Sequence, residues 1–216
     1  MVGTVGISPQ DFEKMQARLN GAAKTSGAGA GKMRSPAPVH AALVPMSSPK
    51  HQVILGIDPS LRGTGWGVIR LGKPHPVALC HGTISCPAGW ERSRCLLRIL
   101  ETIREQAKLH RPTVCSIEGL FYAQNLQTAL IMGEARGAAL AAAAEAGLEI
   151  FEIAPRKVKL AIVGYGGAQK LAVAKMVQRM LQLAEPPSPD AADALALALA
   201  YAQETGRYSL AGPKKV

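Results

Sequence analysis

Residues 52–71 read QVILGIDPSLRGTGWGVIRL, and this stretch decides the architecture. QVILGID (52–58) is an apolar run closed by an acid and a proline, the pattern of a buried strand that stops at Asp58. TGWGVIRL (64–71) and PVALCHGTIS (76–85) make two further strands, joined by Gly-rich and Gly-Lys-Pro connections short enough for hairpins. Outward from there, residues 90–110 carry apolar side chains at helical spacing, with Leu96, Leu97, Leu100, Ile103 and Ala107 expected inward. TVCSIEG (113–119) is a fourth short strand, and NLQTALIMGEARGAALAAAAEAG (125–147) is a long Ala-rich helix ended by Gly147. LEIFEIA (148–154) is a fifth strand, followed by helices at about 155–163, 168–184 and 189–204. Three meandering strands and then alternating helices and strands predict an α/β fold. Its five-stranded mixed sheet has the first three strands antiparallel and helices on both faces.

The chain has 216 residues, 48% of them hydrophobic, so it can build a core and global disorder is excluded. Lys and Arg number 25 against 15 Asp and Glu, a formal charge of +10 that favours a polyanionic partner. No run of about 18 apolar residues exists to span a bilayer, and the N-terminus lacks a basic-then-apolar leader, so a cytoplasmic protein with no membrane association is expected. Cys80, Cys86, Cys95 and Cys115 form no C-x-x-C pair and read as reduced, core-packed thiols. Residues 1–50 are rich in Gly, Ala, Ser and Pro without periodicity and are expected to be a disordered basic arm. Six basic and two acidic side chains leave +4 on the arm and +6 on the rest. Residues 51–206 then form the working domain and 207–216 a flexible basic tail.

Acids in a basic protein are informative by position. Asp58 ends the first strand and Glu118 the fourth, while Asp190 and Asp193 share one face at the start of the last helix. If the first and fourth strands are parallel neighbours, Asp58 and Glu118 lie side by side, and the last helix needs only to cross that edge to add two aspartates. Four such carboxylates repel unless cations neutralise them. Oxygen-only donors suit Mg²⁺, with Mn²⁺ as a substitute, and two such ions align water and a phosphodiester for in-line displacement. Each acid also has an ordinary role open to it: Asp58 as a turn former before Pro59, Glu118 as an arginine's partner, Asp190 in the favourable first turn of a helix capped by Ser188. Asp193 is the telling member, because a charge inside AADALALALAYA is unexpected on a packed face.

At these residues the sequence resembles the RuvC family of Holliday junction resolvases, which have the RNase H-like fold. The matching segments are GIDPSLRGTGWGVI (56–69), SIEGLFYAQN (116–125), MGEARGA (132–138), VKLAIVGYGGAQK (158–170) and PDAADALALALA (189–200). Ser60 stands where the family has Gly, and residues 1–50 have no counterpart. The resemblance implies that Asp58, Glu118, Asp190 and Asp193 are catalytic and hold two Mg²⁺ ions per site. It implies DNA-backbone contacts for Lys159 and Lys170, with Lys170 also offsetting transition-state charge, and a base-stacking role for Phe121. Arg62 in the first loop is a further phosphate contact by expectation.

The function implied is a Mg²⁺-dependent endodeoxyribonuclease that resolves Holliday junctions by paired symmetric nicks in recombination and repair. Its partners by resemblance are four-way junction DNA, a second copy of the chain packed through the helix at 125–147, and the RuvA–RuvB branch-migration complex. Two other readings fit the same fold: a nuclease acting on RNA or other branched nucleic acid, like the YqgF-type relatives, and a junction-binding protein with a silent site. Actin-like sugar kinases also begin GIDxG, but they need two such domains.

Overall fold

The computed structural model describes residues 51–119, 125–205 and 213–216. The expected N-terminal arm and Phe121 therefore lie outside the described residues. The elements run β1 (Val53–Asp58), β2 (Gly63–Arg70), β3 (Val77–Ser85), α1 (Arg92–His110), β4 (Val114–Glu118), α2 (Leu126–Glu145), β5 (Glu149–Ile153), α3 (Pro155–Val163), α4 (Lys170–Met180), α5 (Pro189–Thr205) and β6 (Lys214–Lys215).

The sheet has the order β3-β2-β1-β4-β5-β6. β1 pairs antiparallel with β2 and parallel with β4, so the juxtaposition required for the acids is present: Ile57 stands beside Ile117, one position before Asp58 and Glu118. The expected mixed sheet holds, with one strand more than the five read from sequence. β6 pairs antiparallel with β5, Phe151 opposite Lys215 and Glu152 opposite Lys214. Two consecutive lysines carry no strand pattern. What holds them is the free β5 edge, an ion pair from Lys215 Nζ to Glu149 at 2.8 Å, and the Val216 N–H donating to the Ile150 carbonyl. Those residues of the expected flexible tail thus complete the sheet.

Alternation along β1 separates two cores. Ile54 joins Ile69, Val114, Ile153, Val173, Val177, Leu195 and Leu199 on the α3–α5 face. Leu55 and Ile57 join Val68, Ile117, Ile99, Ile103 and the α2 alanines on the other. The α1 stripe is Cys95, Ile99, Ile103 and Ala107, with Leu96 and Leu100 packed beside it as expected; of the expected set only Leu97 turns out, at 53% exposed, while Cys95 and Ile99 take the core edge. All four cysteines are free thiols.

α5 sits directly on the sheet because glycines make room for it. Gly56 and Gly67 are paired across β1 and β2, and a Cβ on Gly56 would lie 2.0 Å from the Ala194 carbonyl oxygen. A Cβ on Gly65, the partner of Asp58, would lie 1.9 Å from the Asp190 carbonyl oxygen. Only a side-chain-free patch admits a helix backbone this close.

Candidate active site

Asp58 shares the face of Ile54 and Gly56, and Glu118 the face of Val114, so both carboxyls leave the sheet toward α5. The loop after Asp58 is closed locally by Thr64, whose Oγ1 accepts from the Ser60 N–H at 3.1 Å and donates to the Ser60 carbonyl at 2.5 Å. Ser60 therefore fits the turn without glycine. From Ala191 to Ala200 every residue but Asp193 is buried, which explains a charge in that apolar run: it faces a pocket instead of the core.

That pocket, of about 230 Å³, is lined by Asp58, Glu118 and Asp193, by Lys159 and Lys170, and by Val158, Val173 and Leu197. Burial, followed by the charges of Glu118 and Asp193, lifts the Asp58 carboxyl from 3.8 to about 8. Burial also raises Glu118, opposed by a hydrogen bond with Asp58 and by the two lysines. The two carboxyls thus hydrogen-bond to each other, and each holds a proton more tightly than a carboxyl in water does. Lys170 Nζ donates to Asp193 Oδ2 at 2.9 Å, and that bond and charge raise the lysine against the cost of its burial.

Asp190 stands apart from these. It lies in the first turn of α5, with Oδ2 3.0 Å from where a Gly63 Cβ would be, over the start of β2 and outside the pocket lining. Arg62 also points elsewhere: its Nη1 donates to the Pro87 carbonyl at 2.5 Å and to Cys95 Sγ at 3.3 Å. It lines a larger groove of about 660 Å³ with Arg92, Thr128 and Ile131, which carries no acid and hence none of the chemistry.

Among the described residues, no three Asp, Glu, His or Cys side chains already stand at a spacing that encloses an ion. The donor set nevertheless fits a divalent cation: buried carboxyls whose protons are held more tightly than in water, in a pocket whose nearest positive charge is a lysine, gain by exchanging a proton for a hard cation.

A family model described as crossover junction endodeoxyribonuclease RuvC matches residues 54–201. The chain belongs to the RuvC family. The protein of that name from Rubrobacter xylanophilus is 44% identical over 158 residues, 73% of this chain and 88% of its own. That from Akkermansia muciniphila is 45% identical over 148 residues, 68% of this chain and 89% of its own. The solved Thermus thermophilus RuvC in complex with a Holliday junction substrate superposes with a TM-score of 0.70 at 33% identity, covering 77% of this chain and 100% of that one.

One residue of the RuvC-like segment MGEARGA (132–138) had no assigned role in the sequence reading: Arg136, on α2. Its side chain is 7% exposed, donating through Nη1 to the Glu118 carbonyl at 2.7 Å and through Nη2 to Glu152 Oε2 at 2.6 Å. The signal in sequence is a lone cation in an Ala-rich helix, which burial obliges to find a partner.

Proposed function

We propose that this RuvC-family endonuclease resolves Holliday junctions by two symmetric nicks, with Mg²⁺ held by Asp58, Glu118, Asp193 and Asp190. The observation that carries this reading is the convergence of Asp58, Glu118 and Asp193 with Lys159 and Lys170 in one pocket. Membership in the RuvC family, rather than in an RNA-processing branch of the fold, selects the four-way junction as substrate, and the retained acids argue for a working site. When bound, Mg²⁺ supplies the positive charge that favours water attack on a phosphodiester and departure of the 3′ oxygen. Asp58 and Glu118 bring their charge from the rigid ends of adjacent strands, so their spacing is set before DNA arrives. Lys170 and Lys159 border the acids, where a phosphate brought to the pocket meets two ammonium groups.

Phe121, three residues beyond Glu118, is proposed to stack on an unpaired base at the junction centre. Arg62, although turned toward Pro87, remains exposed and is proposed as a peripheral phosphate contact. Two nicks call for two sites, supplied by a homodimer through the Ala-rich α2, with the RuvA–RuvB complex as the proposed further partner. Among the described residues no helix is long and apolar enough to cross a membrane. A cytoplasmic location beside the chromosome is proposed.

The deciding experiment uses a synthetic four-way junction, a linear duplex and an RNA duplex, each with and without Mg²⁺. Metal-dependent paired nicks on the junction are expected. Equal cleavage of linear duplex or RNA, or nicking by Asp58→Asn at the parent rate, defeats the reading.

A further inference from the structure

Among the described residues, Arg136 is the only charged residue that is buried. A buried ion pair contributes little net stability against apolar side chains of similar volume, so its position calls for another explanation. The guanidinium reaches the sheet from the α2 side and ties three elements at one point: α2, the last carbonyl of β4, and the Glu152 carboxylate of β5. That carbonyl belongs to Glu118. Its own carboxyl leaves on the opposite side, into the acidic pocket, so Arg136 acts on it only through the backbone. The next residue is held as well. The Gly119 N–H donates to the Ile153 carbonyl at 2.9 Å, and a Cβ on Gly119 would meet Glu152 Cγ and Oε1 at 3.1 Å.

We infer that the Arg136–Glu152 pair is a positioning device for Glu118. By fixing the peptide plane that follows Glu118, the fork holds the residue's ψ and keeps its carboxyl beside Asp58 in the pocket. Only a planar, two-pronged donor serves, because one prong must bond the carbonyl while the other bonds Glu152. The inference rests on the reading of Glu118 as a metal ligand.

The test measures Mn²⁺ binding to the DNA-free full chain by electron paramagnetic resonance, beside thermal unfolding and the metal concentration for half-maximal junction cleavage. Arg136→Lys keeps the charge and loses the fork. Glu152→Gln keeps an acceptor and loses the charge that orients it. Loss of outer-shell support costs roughly 10–100-fold in metal affinity. Arg136→Lys is expected to raise the Mn²⁺ dissociation constant and the half-saturating metal concentration about 10-fold or more. Cleavage is expected to recover as metal is raised, and metal-free junction binding to stay at the parent level. Glu152→Gln is expected to shift the same two quantities in the same direction, and it carries the test if Arg136→Lys fails to fold. A lowered unfolding midpoint with unchanged Mn²⁺ binding in these variants makes the pair a structural strut and overturns the inference. Glu118→Gln separates the two levels: if it binds Mn²⁺ like the parent, the ligand reading itself fails; if it loses Mn²⁺ while the Arg136 and Glu152 variants keep it, only the positioning role fails.

Discussion

A Cβ on Gly56 would lie 2.0 Å from the carbonyl oxygen of Ala194, so α5 rests on the backbone of β1 with nothing between. That contact places Asp193, the neighbour of Ala194, over the end of the strand that carries Asp58. Because the obstacle is backbone, it cannot rotate away. Gly56→Ala is expected to cost about 1–3 kcal/mol and to lower the unfolding midpoint by about 2–4 °C for each kcal/mol. Gly89, in the turn before α1, has nothing within 4 Å of where a Cβ would stand, so Gly89→Ala is expected to be neutral or slightly stabilising. Thermal unfolding of the two variants checks this. Equal midpoints would mean that α5 rides higher on the sheet.

Asp58 gives the metal-free protein a pH dependence. Its folded carboxyl titrates at about 8 against an ordinary 3.8, so the folded state binds this proton more tightly than the unfolded chain does. The group's stabilising contribution is full below about pH 4 and is lost as pH rises toward 8. In chelator, Asp58→Asn is therefore expected to unfold near the parent at about pH 4 and above it at about pH 8. Mg²⁺ at about pH 8 should then raise the parent's midpoint more than the variant's. Parallel unfolding curves across that range would mean that burial does not raise the Asp58 carboxyl.

Much of this site was readable before the structure, and the reason is local. Asp58 and Glu118 each close an apolar run, and Asp193 interrupts one, so their exceptional positions are visible in a few consecutive residues. Arg136 was not readable in the same way. Its partners, the Glu118 carbonyl and Glu152, lie 18 and 16 residues away, and one is a backbone atom that no sequence pattern marks. On α1 the one misread residue is Leu97: it looks more apolar than Cys95, yet Cys95 faces the core shared with the α2 alanines and Leu97 faces out. β6 exists only because the β5 edge and Glu149 are there to receive it.

Lys170 separates rate from stability. Its side chain is 74% exposed and its pair with Asp193, at 2.9 Å, is of the kind worth about 0–1 kcal/mol. Lys170→Met is thus expected to leave the unfolding midpoint nearly unchanged while slowing junction cleavage by about 10²–10³, the loss typical of a donor aimed at developing charge. Single-turnover cleavage at saturating enzyme isolates the chemical step. A variant that cuts at the parent rate but binds DNA weakly makes Lys170 a phosphate contact alone.

The two aspartates of α5 should part company in the same pair of measurements. Asp193 adds negative charge to the pocket and raises Asp58, whereas Asp190 sits in the first helical turn, where an acid meets the positive end of the helix dipole. Removing charge at Asp193 relieves repulsion, though it also releases Lys170; removing it at Asp190 forfeits about 0.3–1 kcal/mol. In metal-free protein at about pH 8, Asp193→Asn is expected to match or exceed the parent's unfolding midpoint and Asp190→Asn to fall below it. Both are expected to lose metal-dependent cleavage, because the proposed ligand set needs both carboxylates. If Asp190→Asn destabilises yet cuts normally, Asp190 is a helix-start residue and the metal is held by Asp58, Glu118 and Asp193, the three acids that line the pocket.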